Sequence, residues 1–148
     1  MLMRLPNSKF TVADFMRNEL YSAFAALKNR NDILLKKENV KLDKISAHGG
    51  LYKTEGVGQK ITAAALNTKV TVMKTAGEGG PWGMAVLALY AVSKSNESLK
   101  AYLDNKIFAS AESVSVDPDL RDVEGFDKYM ERYNNAIAVE RLACEKLN

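Results

Sequence analysis

The sequence predicts an α/β fold with parallel strands, and three observations on residues 44–90 carry that prediction. A short apolar run at 45–47 (Ile-Ser-Ala) leads into Gly49-Gly50, and a second at 70–73 (Val-Thr-Val-Met) leads into Thr75-Ala76-Gly77-Glu78-Gly79-Gly80. Each glycine turn is followed by a helical pattern. The first is opened by Thr54 and has apolar positions at Val57, Ile61, Ala64 and Ala65; the second starts at Pro81. Strand, turn and helix in tandem is the wiring of a parallel sheet, because parallel neighbours need a crossover between them. Open α/β sheets bind ligands at the carboxyl ends of their strands. Both glycine turns fall there, so both are expected on one rim.

The elements follow in order. Residues 1–10 (MLMRLPNSKF) carry Leu2, Met3 and Leu5 with nothing local to pack on, the pattern expected of a chain cut from a longer one. Thr11 followed by Asp14 reads as a helix N-cap with an acid at its third position. The helix places Val12, Phe15, Met16, Leu20, Phe24 and Leu27 on one face, opposite Arg17, Glu19, Lys28 and Arg30. Lys36 and Lys37 complement the negative end of its dipole. It is expected to end near Asn39, either unbroken or interrupted at residues 29–31.

Residues 69–74 alternate too little for a strand with one wet face and read as buried on both sides. Residues 81–92 are apolar nearly all round, which predicts a buried helix whose small residues (Gly83, Ala85, Ala88, Ala91) admit a close neighbour. SKSNES is a polar loop, 97–108 a short helix, and 109–119, with Pro118, an irregular connection. The last element is an amphipathic helix with Phe126, Met130, Tyr133, Ile137, Cys144 and Leu147 on its apolar stripe.

Composition narrows the function classes. A chain of 148 residues is one domain by size. A net charge of +3 points to neither nucleic acid nor a membrane surface as partner. The charge is uneven: residues 1–108 hold sixteen basic and nine acidic groups, residues 109–148 five and nine. The acidic tail either lies against the basic part or is a solvated helix. No apolar run approaches the roughly 20 residues of a membrane span. The single cysteine, Cys144, forbids an internal disulfide and fits a reducing compartment. Residues 1–5 are too short for a signal-peptide core. Cytoplasm is the expected location.

Several residues invite a chemical role. Gly49-Gly50 either lets backbone N–H groups approach a phosphate or sugar, or is an ordinary left-handed turn. Gln59 either reaches the same place or satisfies a buried backbone group. Gly77, Gly79 and Gly80 begin a G-x-G pattern, but Trp82 occupies the last position of G-x-G-x-x-G, so a dinucleotide fingerprint is absent; no G-x-x-x-x-G-K-[ST] occurs either. Glu78 is read as a solvated loop acid. His48, the only histidine, lacks a nucleophile or metal partners in the pattern and reads as structural. Cys144 reads as an inert core thiol, and Trp82 and Tyr90 as packing.

Taken together, Gly49-Gly50 after a strand, Gln59 in the next helix, and Gly79-Gly80 through Gly83-Met84-Ala85 opening an Ala/Leu-rich helix resemble the FGGY family of carbohydrate kinases, nearest to its pentulose (xylulokinase and ribulokinase) types. The resemblance extends into SLKAYLDNKIF and PDLRDVEGFDKYMERY, and matches only the last third of such kinases. It implies part of a ribonuclease H-like, actin-like ATPase lobe (α-β-α-β-α) followed by C-terminal helices. Residues 1–93 would be the partial nucleotide-binding lobe and 94–148 a helical extension packed on the same domain.

The resemblance further implies a reaction that moves the ATP γ-phosphate to a sugar hydroxyl with magnesium. By analogy Gly49, Gly50, Lys53, Thr54 and Gln59 are the candidate adenine-nucleotide contacts. The family's catalytic aspartate, most of its sugar contacts and its phosphate loops lie in segments with no counterpart here, so no catalytic or metal residue is assigned. Sugar would bind only with the absent N-terminal lobe. Two other readings stay open: a nucleotide- or partner-binding α/β module without chemistry, and an inactive remnant of a split gene. Two short parallel strands leave a bare edge, so a homo-oligomer is expected, through that edge or through Phe15, Met16, Leu20 and Phe24.

Overall fold

A computed structural model describes residues 2–93 and 96–147. The element order is α1 (Val12–Lys36), β1 (Ile45–Ala47), a 3-10 turn (Gly50–Lys53), α2 (Val57–Leu66), β2 (Val70–Met73), a second 3-10 turn (Ala76–Glu78), α3 (Gly79–Val92), α4 (Leu99–Tyr102) running into a π-turn (Leu103–Ile107), β3 (Ser113–Val116) and α5 (Leu120–Lys146). The chain divides into two compact units, with α2 shared between them. One comprises Met1–Leu42, Ile61–Asn67 and Pro118–Asn148, the other Asp43–Lys60 and Thr68–Asp117. Of the polar loop expected at 93–98, residues 94 and 95 lie outside the described ones. No helix of the described residues is long and apolar enough to cross a membrane.

In the helical unit α1 begins as its sequence dictates. The Asp14 N–H donates to Thr11 Oγ1 at 3.1 Å and the Thr11 N–H donates to Asp14 Oδ2 at 3.2 Å, a complete capping box. The helix runs unbroken through residues 29–31 and stops at Lys36. Asn39 then turns the chain in the left-handed region (φ 52°), and the Val40 N–H donates to the Leu34 carbonyl at 3.1 Å.

α5 packs on α1 through rings. Tyr21 stands edge-on to Phe126 (5.0 Å between centroids) and to Tyr129 (5.2 Å), and further along Asn29 donates to Asn134 at 3.0 Å. Partner positions rise together, so the two helices run parallel. Phe126 is fully buried, with Phe24, Ala25, Val123 and Met130 also buried in this unit. Burying a side chain of this size stabilises by about 1.5–3 kcal/mol.

Two expectations fail in this unit. Of the six apolar positions expected on one face of α1, Phe24 is buried, while Val12, Phe15, Met16 and Leu27 are exposed. The row that meets α5 includes Tyr21 and Asn29, which leaves the start of the helix uncovered. Cys144 is exposed rather than a core thiol. The buried stripe of α5 is confined to Val123, Phe126 and Met130, and Ile137 and Leu147 are already in solvent.

The sheet unit holds three strands in the order β1-β2-β3, with β1 parallel to β2 and β3 antiparallel to it. β3 lies within the stretch expected to be irregular. Its Ser-Val-Ser-Val alternation pairs residue by residue with β2, and the Thr71 and Ser115 hydroxyls meet across the ladder at 2.8 Å. β2 is not buried on both sides throughout: Val70 is buried, but Thr71, Val72 and Met73 are half-buried.

α3 departs most from expectation. Among its residues Val86 is buried, whereas Met84 (69% exposed), Leu87, Leu89 and Val92 (72%) face solvent. A helix apolar on every side cannot find cover from a sheet of three- and four-residue strands. Trp82 and Tyr90 do pack: Trp82 lies against Phe108, and Tyr90 against Tyr102 with its hydroxyl donating to the Glu97 carbonyl at 2.7 Å.

Candidate functional site

The carboxyl ends of β1 and β2 bring the two glycine turns together, as the parallel wiring requires. Gly49 leaves β1 with φ 114°, a left-handed conformation that side-chain-bearing residues rarely adopt. The Tyr52 N–H donates back to the Gly49 carbonyl at 3.0 Å, closing the first 3-10 turn. Thr54 ends that turn with extended backbone and is exposed. It does not open α2, which starts at Val57, because Gly56 intervenes with φ 75°.

Two side chains of the first turn lie across two glycines of the second. A Cβ on Gly79 would sit 2.9 Å from His48 Nδ1 and 3.1 Å from His48 Cβ, and one on Gly77 would sit 3.0 Å from Lys53 Cγ and 3.2 Å from its Cε. A Cβ at either position would push those side chains aside, so glycine lets them lie this close. The stem of Lys53, laid over Gly77, delivers its ammonium to the carboxylate of Glu78, and the two form an ion pair between the turns. Glu78 is thus paired, not simply solvated. His48 is exposed and holds its ring against the start of α3.

Gly50 and Gly80 belong to the same two turns but behave differently. A Cβ at either would meet no heavy atom within 4 Å. Neither has a left-handed backbone. Neither the packing nor the backbone of the protein requires glycine at these two places, and both look onto open space.

Gln59 has the second of the two roles its sequence allowed. Its side chain is buried, and Nε2 donates to the Val70 carbonyl at 2.8 Å and to the Val114 carbonyl at 2.7 Å. It ties α2 to β2 and β3 beneath the rim. Of the five residues singled out in the sequence, Gly49, Gly50, Lys53 and Thr54 thus lie in the first turn, while Gln59 braces the strands that carry it. Sequence reasoning missed the links from His48 to Gly79 and from Lys53 to Glu78. The available signal was the exclusive charge of the turns: Lys53 is the one lysine or arginine, and Glu78 the one acid, in residues 48–54 and 75–80.

Among the described residues no group of three or more His, Cys, Asp or Glu could hold a metal ion. Compared with known protein families, residues 3–92 match the FGGY family of carbohydrate kinases, C-terminal domain. The match includes α1 to α3 and both glycine turns, and stops short of SLKAYLDNKIF and α5. No curated protein and no solved structure matches the chain.

Proposed function

The chain belongs to the FGGY family of carbohydrate kinases, and from that premise we propose that it is the adenosine-binding side of a pentulose kinase, with xylulose as the sugar. In this reading residues 1–93 are part of a ribonuclease H-like, actin-like ATPase lobe and 94–148 its helical extension. The catalytic base and the sugar contacts come from an N-terminal lobe, so this chain binds adenine nucleotide and turns over no sugar by itself. Cytoplasm is the matching compartment.

The observation that carries the reading is the pair Gly50 and Gly80. Each leaves room where the protein itself has no use for it, on the rim where an α/β sheet takes its ligand. Backbone N–H groups without a Cβ in front of them can approach ribose or phosphate closely. Gly49, Gly50, Lys53 and Thr54 are the proposed contacts, and Gln59 holds the strands beneath them.

FGGY kinases are ATP-dependent, generally with magnesium. ATP would bring the phosphoryl group that is transferred. The rim fits the nucleotide through its open glycines and its lysine. The described residues offer magnesium no carboxylate cluster, so the ion would arrive on the nucleotide's own phosphates.

Calorimetric titration with magnesium ADP tests this. Gly50→Val should abolish binding while leaving the circular dichroism spectrum unchanged, because a Cβ at this place has no heavy atom within 4 Å and the backbone has no positive φ. Equal affinity in the two chains would place the site elsewhere.

The reading includes a homo-oligomer. Among the described residues β1 pairs only with β2, and α3 exposes Met84, Leu87, Leu89 and Val92. An unpaired strand edge and an apolar surface both favour association. Sedimentation at micromolar concentration should show a dimer or larger species, and a monomer at every concentration would remove this part.

A further inference from the structure

Resting on that reading, we propose that Lys53 receives the phosphate end of the bound nucleotide and that Glu78 is its resident counter-ion, displaced as the ligand enters. The pair is then a latch on the lysine: a phosphorylated nucleoside opens it, and a nucleoside alone leaves it closed without being excluded from the rim.

Three observations lead there. Lys53 and Glu78 are the only side chains of formal charge in the two turns, and they are paired with each other across 25 residues of sequence. The stem of Lys53 lies over Gly77, whose missing Cβ leaves space for its Cγ, Cδ and Cε. The backbone on either side of the pair, at Gly50 and Gly80, faces open space.

The energetics favour exchange. Both side chains are more than half exposed (55% and 69%), and exposed pairs contribute about 0.2–1 kcal/mol. Breaking this one costs little. A phosphate brings up to two charges and three acceptor oxygens, against one charge on a carboxylate, and hydrogen bonds between ionised partners are the stronger kind. Lysine suits the exchange because its ammonium is a compact charge on a flexible stem that can leave one partner for another without a fixed fork geometry. A nucleoside without phosphate offers nothing to replace Glu78.

The test measures adenosine, ADP and inorganic triphosphate binding to the full chain and to Glu78→Gln, Lys53→Met and the double variant. The latch predicts that Glu78→Gln tightens ADP and triphosphate by roughly two- to fivefold, the equivalent of one exposed pair, and leaves adenosine unchanged. Removing any nearby acid would also help an anion, so the double variant decides. The gain from Glu78→Gln should vanish when Lys53 is already Met, because it acts through the lysine.

A gain that persists in the Lys53→Met background overturns the latch, as does ADP affinity indifferent to Glu78. If triphosphate shows the coupled gain while neither adenosine nor ADP binds better than triphosphate, the latch stands and the adenosine reading fails. If no probe binds any of the four chains, both fall.

Discussion

In the helical unit the tightest contacts are between large side chains: Tyr21 stands on Phe126 and Tyr129, and Phe126 has no exposed surface. The sheet unit has ring pairs too, Trp82 on Phe108 and Tyr90 on Tyr102, but its two turns close on bare backbone: His48 lies against Gly79 and Lys53 against Gly77, and a Cβ on Gly58 would fall 2.8 Å from the Leu51 carbonyl oxygen. The first unit is filled by volume, and the turns of the second are closed by the absence of volume. The two therefore fail to opposite substitutions. Large-to-small changes empty the helical unit, and small-to-large changes crowd the turns of the sheet unit. The proposed nucleotide rim belongs to the second construction, where backbone without Cβ atoms leaves room for a close approach.

Phe126→Ala should give the largest effect. It removes a fully buried ring that two tyrosines pack against, and such truncations cost about 3–5 kcal/mol. That is a large part of the 5–15 kcal/mol typical of a domain. Urea unfolding followed by far-ultraviolet dichroism measures it, and Phe126→Leu should recover much of the loss. A cost below about 1 kcal/mol for the alanine variant would mean the helical unit is not organised around this ring.

The sharper comparison is between adjacent glycines. Gly79→Ala drives a Cβ into the His48 side chain and should destabilise by about 1–3 kcal/mol, the range for overpacking. Gly80→Ala meets nothing, lies inside α3, and should stabilise by about 0.4–1 kcal/mol through lower chain entropy in the unfolded state. The His48→Ala change should remove most of the Gly79→Ala penalty and leave Gly80→Ala as it was. Two variants one residue apart with opposite signs would establish that the glycines of this turn serve different ends. The same sign for both would collapse the distinction on which the proposed rim depends.

What could be read in advance was local. The capping box at Thr11 and Asp14, the strands ending at Ala47 and Met73, and the meeting of their two turns all follow from short stretches whose meaning does not depend on distant residues. β3 could not be read so. Four alternating residues before Pro118 make no strand until Thr71 and its neighbours accept them, and that partner is some 40 residues away. The same holds for Lys53 and Glu78, whose pairing depends on how closely Gly77 lets the turns approach. α3 misled for another reason. Apolarity on all sides reports what a helix could bury, not what the chain supplies to bury it, and here only the Val86 side finds cover.

The smallest effect concerns charge in the helical unit and is legible through pH. Asp32 on α1 is paired with Lys28 at 3.1 Å and Lys36 at 2.6 Å. Burial pushes its carboxyl up, but the hydrogen bonds from Lys36 and Lys28, with their charges, outweigh burial and hold it below the ordinary 3.8. A carboxyl depressed by folding contributes stability that is fully present above its unfolded value and is lost as the pH falls through its folded one. The contribution is thus complete from about pH 5 upward and disappears below 3.8. Both are i,i+4 contacts, the Lys28 one largely covered and the Lys36 one reaching into solvent, and such pairs are worth about 0.3–0.5 kcal/mol each. Asp32→Asn should accordingly lower the urea midpoint slightly at pH 7, and the gap from the parent chain should narrow as the pH is lowered through 3.8 towards 2. High salt should shrink the gap at pH 7 in part, because the pair to exposed Lys36 is screened. A gap of the same size at both pH values would mean that Asp32 acts through the shape of its side chain, and the ion pairs on this helix would contribute nothing measurable.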